Sequence, residues 1–144
     1  MNSTMARLMI TALTAFAGSG LAEAAQLTVQ VEGAEPRQGT VLIGVCSRSL
    51  DFSSCGLSQS VQQPDSSLVV VFPDIPEGAY AIAAFQDLNG NGNLDRDPRG
   101  LPREPYGFSN GTGRTAPPSF EAGRVVVQGN VVARVRLARS PLAK

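Results

Sequence analysis

From Gln26 to Glu32 apolar and polar residues alternate one by one. Leu27, Val29 and Val31 fall on one face, and Thr28, Gln30 and Glu32 on the other. That period of two predicts a strand with one buried and one wet face. Thr40 to Cys46 (TVLIGVC) is apolar on both faces and predicts a central strand. Ser67 to Phe72 and Ala79 to Gln86 predict two more strands, and Arg124 to Gln128 a short one. Val131 to Leu137 predicts the last, with Val131, Ala133, Val135 and Leu137 inward and Arg134 and Arg136 outward.

The stretches between are turn chemistry. Gly33 to Gly39 holds Pro36 between glycines, and Pro73, Pro76 and Gly78 mark a tight corner. Gly129-Asn130 is a two-residue turn signal in the reverse of the favoured order. Gly56 to Ser66 is polar, with a weak alternating patch around Val61. Tyr80 follows the corner, where a tyrosine can bury its ring and bond its hydroxyl to backbone across the turn. After residue 25 no segment sustains a helical period. Six or seven strands joined by short turns predict an all-β fold, an antiparallel Ig-like or prealbumin-like sandwich over residues 25–140. A closed barrel is the alternative. A long loop occupies about 87–123, and 141–144 reads as a loose tail.

The N-terminus is different. Arg7 precedes an uncharged apolar run, Leu8 to Leu21, too short to span a bilayer comfortably. Ala22-Glu23-Ala24 puts small residues around a cleavage point. Residues 1–24 therefore read as a signal peptide cleaved near Ala24/Ala25, which implies a periplasmic or secreted protein. An uncleaved anchor is the alternative. No second apolar stretch could cross a membrane, so the mature domain is not expected to span one. The chain has 12 basic and 12 acidic residues, and losing Arg7 and Glu23 keeps the balance. Balanced charge argues against a nucleic-acid partner. An exported chain with an even cysteine count predicts a disulfide, Cys46 to Cys55. Closing a loop of about ten residues is worth roughly 2.5–3 kcal/mol in the chain-entropy model.

The longest stretch without periodicity, Asp87 to Asn110, carries the candidate chemistry. Asp87, Asn89, Asn91 and Asp95 recur with the spacing of an EF-type calcium loop, with Gly92 at the reversal. Alternate side-chain oxygens then face inward, and Asn93 can offer its backbone carbonyl. The pattern departs where a bidentate acid belongs, because Pro98 stands there and Asp97 falls one place early. No amphipathic helices flank the loop, and Arg96 and Arg99 compete for its carboxylates. Two readings follow: a calcium site on a β-scaffold (Asp87, Asn89, Asn91, Asn93, Asp95 and Asp97), or a tight turn that needs Asn and Gly. Calcium is the one cofactor expected.

Beyond it, Arg103, Tyr106, Phe108 and Arg114 form either a binding ledge for an envelope protein or glycan, or a tether that pins the loop. With no histidine in the chain, His-assisted nucleophiles and His-ligated metals are excluded. A non-catalytic domain is expected. A hydrolase or carbohydrate-processing domain using loop carboxylates, such as Asp95 with Asp97, is the alternative.

Four motifs occur in order: Gly78 to Ile82 (GAYAI), Asp87 to Asp95 (DLNGNGNLD), Pro102 to Asn110 (PREPYGFSN) and Pro117 to Phe120 (PPSF). Together they resemble the exported bacterial family called domain of unknown function 2141, from about Gln26 to Leu137. Gln86 departs from it, since members often carry His there. The resemblance implies a small periplasmic or secreted domain and no particular activity. The proline-glycine corner before Tyr80 is also similar to prealbumin-like modules, which supports a sandwich.

Overall fold

The computed structural model describes residues 24–143. Residues 1–23, most of the expected signal peptide, lie outside the described residues. Eight strands form two facing sheets: β1 (Ala24–Glu32), β2 (Thr40–Cys46), β3 (Leu57–Gln62), β4 (Ser67–Pro76), β5 (Gly78–Asp87), β6 (Tyr106–Phe108), β7 (Val125–Val127) and β8 (Asn130–Arg136). One sheet runs β4-β1-β8 and the other β3-β2-β5-β6, with β7 pairing β5 further along the same edge as β6. Neither sheet closes on itself, so the fold is a sandwich and not a barrel. Every pair is antiparallel except β1 with β8, which run parallel.

The alternation in β1 does what its period dictates. Leu27, Val29 and Val31 are buried against Val41, Ile43 and Val45 of β2 and Ile82 and Ala84 of β5. Ala133, Val135 and Leu137 complete the core from the other edge. The core is aliphatic with few aromatics, which suits β-branched side chains on two pleated faces. Tyr80 packs against it and donates its hydroxyl to the carbonyl of Pro76, 2.8 Å away, across the corner.

Several elements differ from the sequence pattern for local reasons. The stretch after Gly56 is a strand, β3, although almost all of it is exposed. Its backbone pairs with β2 from Thr40 to Val45, so the ladder holds a strand that hydrophobic patterning cannot show. β4 runs on through the proline corner to Pro76, with the register against β1 shifting between Ala25 and Leu27 and Asp74 at a positive φ of 53°. The loop expected at 87–123 contains β6 and a single helical turn, α1 (Phe120–Gly123). Ser119 caps that turn by accepting the Ala122 N–H at 3.2 Å.

β5 is buried on both faces because both faces are covered. Its inner face meets the core. Its outer face, Ala81, Ala83, Phe85 and Asp87, lies beneath the disulfide turn on one side and the 87–120 segment on the other. Gly44 on neighbouring β2 makes room for that turn: a methyl there would sit 2.9 Å from the ring of Phe52 and 3.1 Å from Cys55.

Candidate functional site

The Asp87 loop starts where β5 ends. Asp87 is buried, and its carboxylate collects the backbone N–H groups of the reversal. Oδ1 accepts from Gly90 at 2.8 Å and Asn91 at 3.3 Å, and Oδ2 from Gly92 at 2.7 Å. Gly90 and Gly92 both take φ of 76°, a conformation glycine adopts at little cost. Asn89 Oδ1 accepts from the Asn91 N–H at 3.2 Å, and Asn91 Oδ1 from the Asn93 N–H at 2.9 Å. The spacing of alternate residues thus becomes a ladder of side-chain-to-backbone turns.

The side chains of Asn89 and Asn91 both donate to Asp95, Asn91 to Oδ1 at 2.8 Å and Asn89 to Oδ2. Asp87, Asn89, Asn91 and Asp95 are therefore drawn together by one compact loop. Asn93 follows with its side chain turned back onto the Asn91 carbonyl at 3.1 Å. Neither Asp87 nor Asp95 forms an ion pair among the described residues. The arginines that threatened to neutralise them go elsewhere. Arg96 donates to the Gly100 carbonyl at 2.9 Å, and Arg99 pairs with Asp97 at 2.9 Å.

Asp97 stands apart from this group. It is buried, with Oδ1 accepting from the N–H groups of Arg99 and Leu101 and Oδ2 held by the Arg99 guanidinium. Burial works to raise its pKa. The Leu101 amide and the guanidinium and amide of Arg99 outweigh that, holding it below the usual carboxylate range. Among the described residues no three Asp, Glu or Cys side chains gather as a metal-binding group. A cation at this loop would draw on two carboxylates and on neutral oxygens.

Glu104 is the residue that motif spacing passes over. It is buried, and its Oε1 accepts from the Leu88 N–H at 2.8 Å while Oε2 accepts from the Asp95 N–H at 3.0 Å. One carboxylate thereby fastens both ends of the loop. In the sequence it is one more acid beside arginines, inside the PREPYGFSN motif, with no spacing to mark it. Gln86 and Ser109 are also buried polar anchors. Ser109 stands in for the ladder in the gap between β6 and β7. Its Oγ accepts from the Ile82 N–H at 2.9 Å and donates to the Gly123 carbonyl.

Of the four ledge residues the structure brings three together. Tyr106 and Phe108 are half-buried, pack edge to face with centroids 6.0 Å apart, and share a depression with Arg114. Arg103 lies instead against the C-terminal segment, beside Arg139 and Ser140. On their other flank Tyr106 and Phe108 wall a cleft of about 340 Å3. Phe52 and Phe85, 5.1 Å apart, form its opposite side, and Gly92 and Asn93 of the Asp87 loop reach its rim. Cys46 and Cys55 are joined, which fixes the turn that carries Phe52.

The family model described as "Uncharacterized protein conserved in bacteria (DUF2141)" matches residues 29–134. The chain belongs to this family. The match takes in most of the sandwich, the Asp87 loop, Glu104 and the Tyr106–Phe108 strand, so the site described above lies within the family domain. No curated protein and no solved structure matches the chain significantly.

Proposed function

We propose that this protein is an exported, non-catalytic β-sandwich module of the bacterial envelope, stabilised by calcium at the Asp87–Asp95 loop. The observation that carries this reading is the convergence of Asp87, Asn89, Asn91 and Asp95 in one loop, with both carboxylates free of ion pairs among the described residues. The donors suit a hard cation, which takes oxygen ligands. Each carboxylate oxygen has more than one acceptor position, so the amide bonds to Asp87 leave room for a further partner. The Asn89 and Asn91 side-chain oxygens each accept one backbone N–H and keep a second acceptor position for a cation. Asn93 adds its carbonyl, and Asp97 holds the next turn in place.

Two carboxylates in place of three or four place the affinity in the weak class, with a dissociation constant of roughly 10⁻⁴–10⁻³ M, as in extracellular modules. Such a site is filled outside the cytoplasm and empty within it. Export through residues 1–24 belongs to the same reading. The pairing of Asp97 with Arg99 supports a non-catalytic role, because it removes one of the two carboxylates an acid–base pair would need.

Thermal melting after chelator treatment, with and without calcium, tests this. At a hundredfold over the dissociation constant, calcium adds about 2.7 kcal/mol, a shift of several degrees. Asp87→Asn with Asp95→Asn abolishes the shift. A double variant that responds like the unaltered protein refutes the site.

A further inference from the structure

Aromatic residues are distributed unevenly in this fold. The core between the sheets is nearly all aliphatic. Phe52, Phe85, Tyr106 and Phe108, four of the eight aromatic residues in the chain, sit instead on the outer face of β5 around the cleft described above. Its floor is Ala83, the register partner of Phe108. A larger side chain at Ala83 would fill the space, so the small residue keeps it open. The volume lies within the range of small-ligand pockets.

The rim is polar and of mixed character. Asp51 offers an acceptor: its Oδ1 takes the Ser53 N–H and hydroxyl, and Oδ2 has no bond among the described residues. Arg96 offers a donor, since Nη1 bonds Gly100 and the guanidinium forms no ion pair among the described residues. Asn93 and the Tyr106 hydroxyl can do both. A hydrocarbon would leave these groups unmatched on binding. A simple anion would face Asp51, and a simple cation would face Arg96. A sugar ring satisfies all of them, because its C–H face stacks on aromatic rings while its hydroxyls both donate and accept.

We infer that this cleft binds one pyranose unit of a glycan, stacked against Tyr106 and Phe108 with its hydroxyls on Asp51, Asn93 and Arg96. The inference goes beyond the calcium reading and does not depend on it. The loop's amides hold Gly92 and Asn93 at the rim without a metal.

The experiment is an amide chemical-shift titration of the exported, processed protein. The probes are a panel of free hexoses, N-acetylhexosamines, deoxyhexoses and hexuronic acids, each taken to about 100 mM so that millimolar affinities register. Expected are saturable shifts from at least one sugar, confined to residues 51–53, 83–85, 92–96 and 106–108, in calcium and in chelator alike. Ala83→Leu abolishes them, and Arg96→Gln, an exposed position that leaves the core untouched, weakens them about tenfold. A panel in which no sugar moves these amides overturns the inference. So do shifts that persist undiminished in Ala83→Leu, or a cleft that answers only to the hydrophobic anion 1-anilinonaphthalene-8-sulfonate. Calcium binding is read separately by melting, so either result can fail alone.

Discussion

Glu35 and Gln86, far apart in sequence, exchange two hydrogen bonds: the Glu35 N–H donates to Gln86 Oε1 and Gln86 Nε2 donates to the Glu35 carbonyl, both at 2.7 Å. The same Nε2 reaches the Gln38 carbonyl, also at 2.7 Å. A fully buried amide on β5 thus replaces the ladder for the turn between β1 and β2. Gln86→Leu keeps the volume and strands three backbone groups, so it should destabilise by about 2–4 kcal/mol. The midpoint of thermal unfolding should fall by roughly 10 °C. Gln86→Glu keeps the acceptor for the Glu35 N–H but sets a buried carboxylate oxygen against the Glu35 and Gln38 carbonyls, and should destabilise at least as much as Gln86→Leu. Melting of the three proteins in one buffer checks the order.

Glu104 makes a different kind of prediction, because it touches the loop from behind. Glu104→Gln keeps the shape but sets an amide N–H₂ against a backbone N–H at either Leu88 or Asp95. A donor facing a donor leaves a buried group unsatisfied, at a cost of about 1–3 kcal/mol. Because the two bonds hold the ends of the Asp87 loop, calcium stabilisation should shrink as well. Melting with and without calcium reads both effects. Equal calcium shifts in Glu104→Gln and the unaltered protein would mean the loop keeps its geometry without this clamp.

These two residues also mark where the sequence is legible and where it is not. β1 and β8 follow from alternation because one face is dry and the other wet, and β2 from being apolar on both faces. The family resemblance, the sandwich and the Cys46–Cys55 pairing were equally readable. β3 was not, since LSQSVQ is held by pairing with β2 and buries little side chain. β6 was hidden inside a loop, where YGF has too few residues for a period to show. The parallel pairing of β1 with β8 depends on topology that no local pattern encodes. At the loop, spacing singled out Asp87, Asn89, Asn91 and Asp95, which share one hydrogen-bonded turn. It could not show that Asp97 turns to Arg99 or that Glu104 closes the loop. Which acid pairs with which cation is settled by packing.

Asp97 gives the protein an acid limb. Its folded pKa lies below the ordinary value of 3.8, so the folded state releases the proton more readily than the unfolded chain does. That contribution to stability is present above the unfolded pKa and is lost as pH falls through the folded pKa. Stability should therefore decline on acidification below about pH 4. Asp97→Asn should lower stability at neutral pH and flatten this part of the profile. Denaturant melts at several pH values, comparing the two proteins, check it. Parallel acid limbs would assign the effect to other carboxylates.

Two strand glycines should differ sharply when replaced by alanine, although neither has a positive φ. At Gly107 in β6 the added methyl would fall onto the carbonyl oxygen of Arg136, with Val135 3.2 Å away. That oxygen belongs to the backbone of β8 and cannot move without breaking the contact between β6 and β8. At Gly44 the nearest atom is the edge of the Phe52 ring, 2.9 Å away, on a side chain that can turn aside. Overpacking costs about 1–3 kcal/mol where neighbours can yield, and more where they cannot. Gly44→Ala should fall in that range and Gly107→Ala above it. Gly44→Ala should also disturb the sugar titration, because Phe52 walls the cleft, whereas any loss in Gly107→Ala should track its unfolding. Denaturant midpoints and the amide shifts of residues 51–53 separate the two cases. A Gly107→Ala protein as stable as Gly44→Ala would mean that β6 can lift off β8 at little cost.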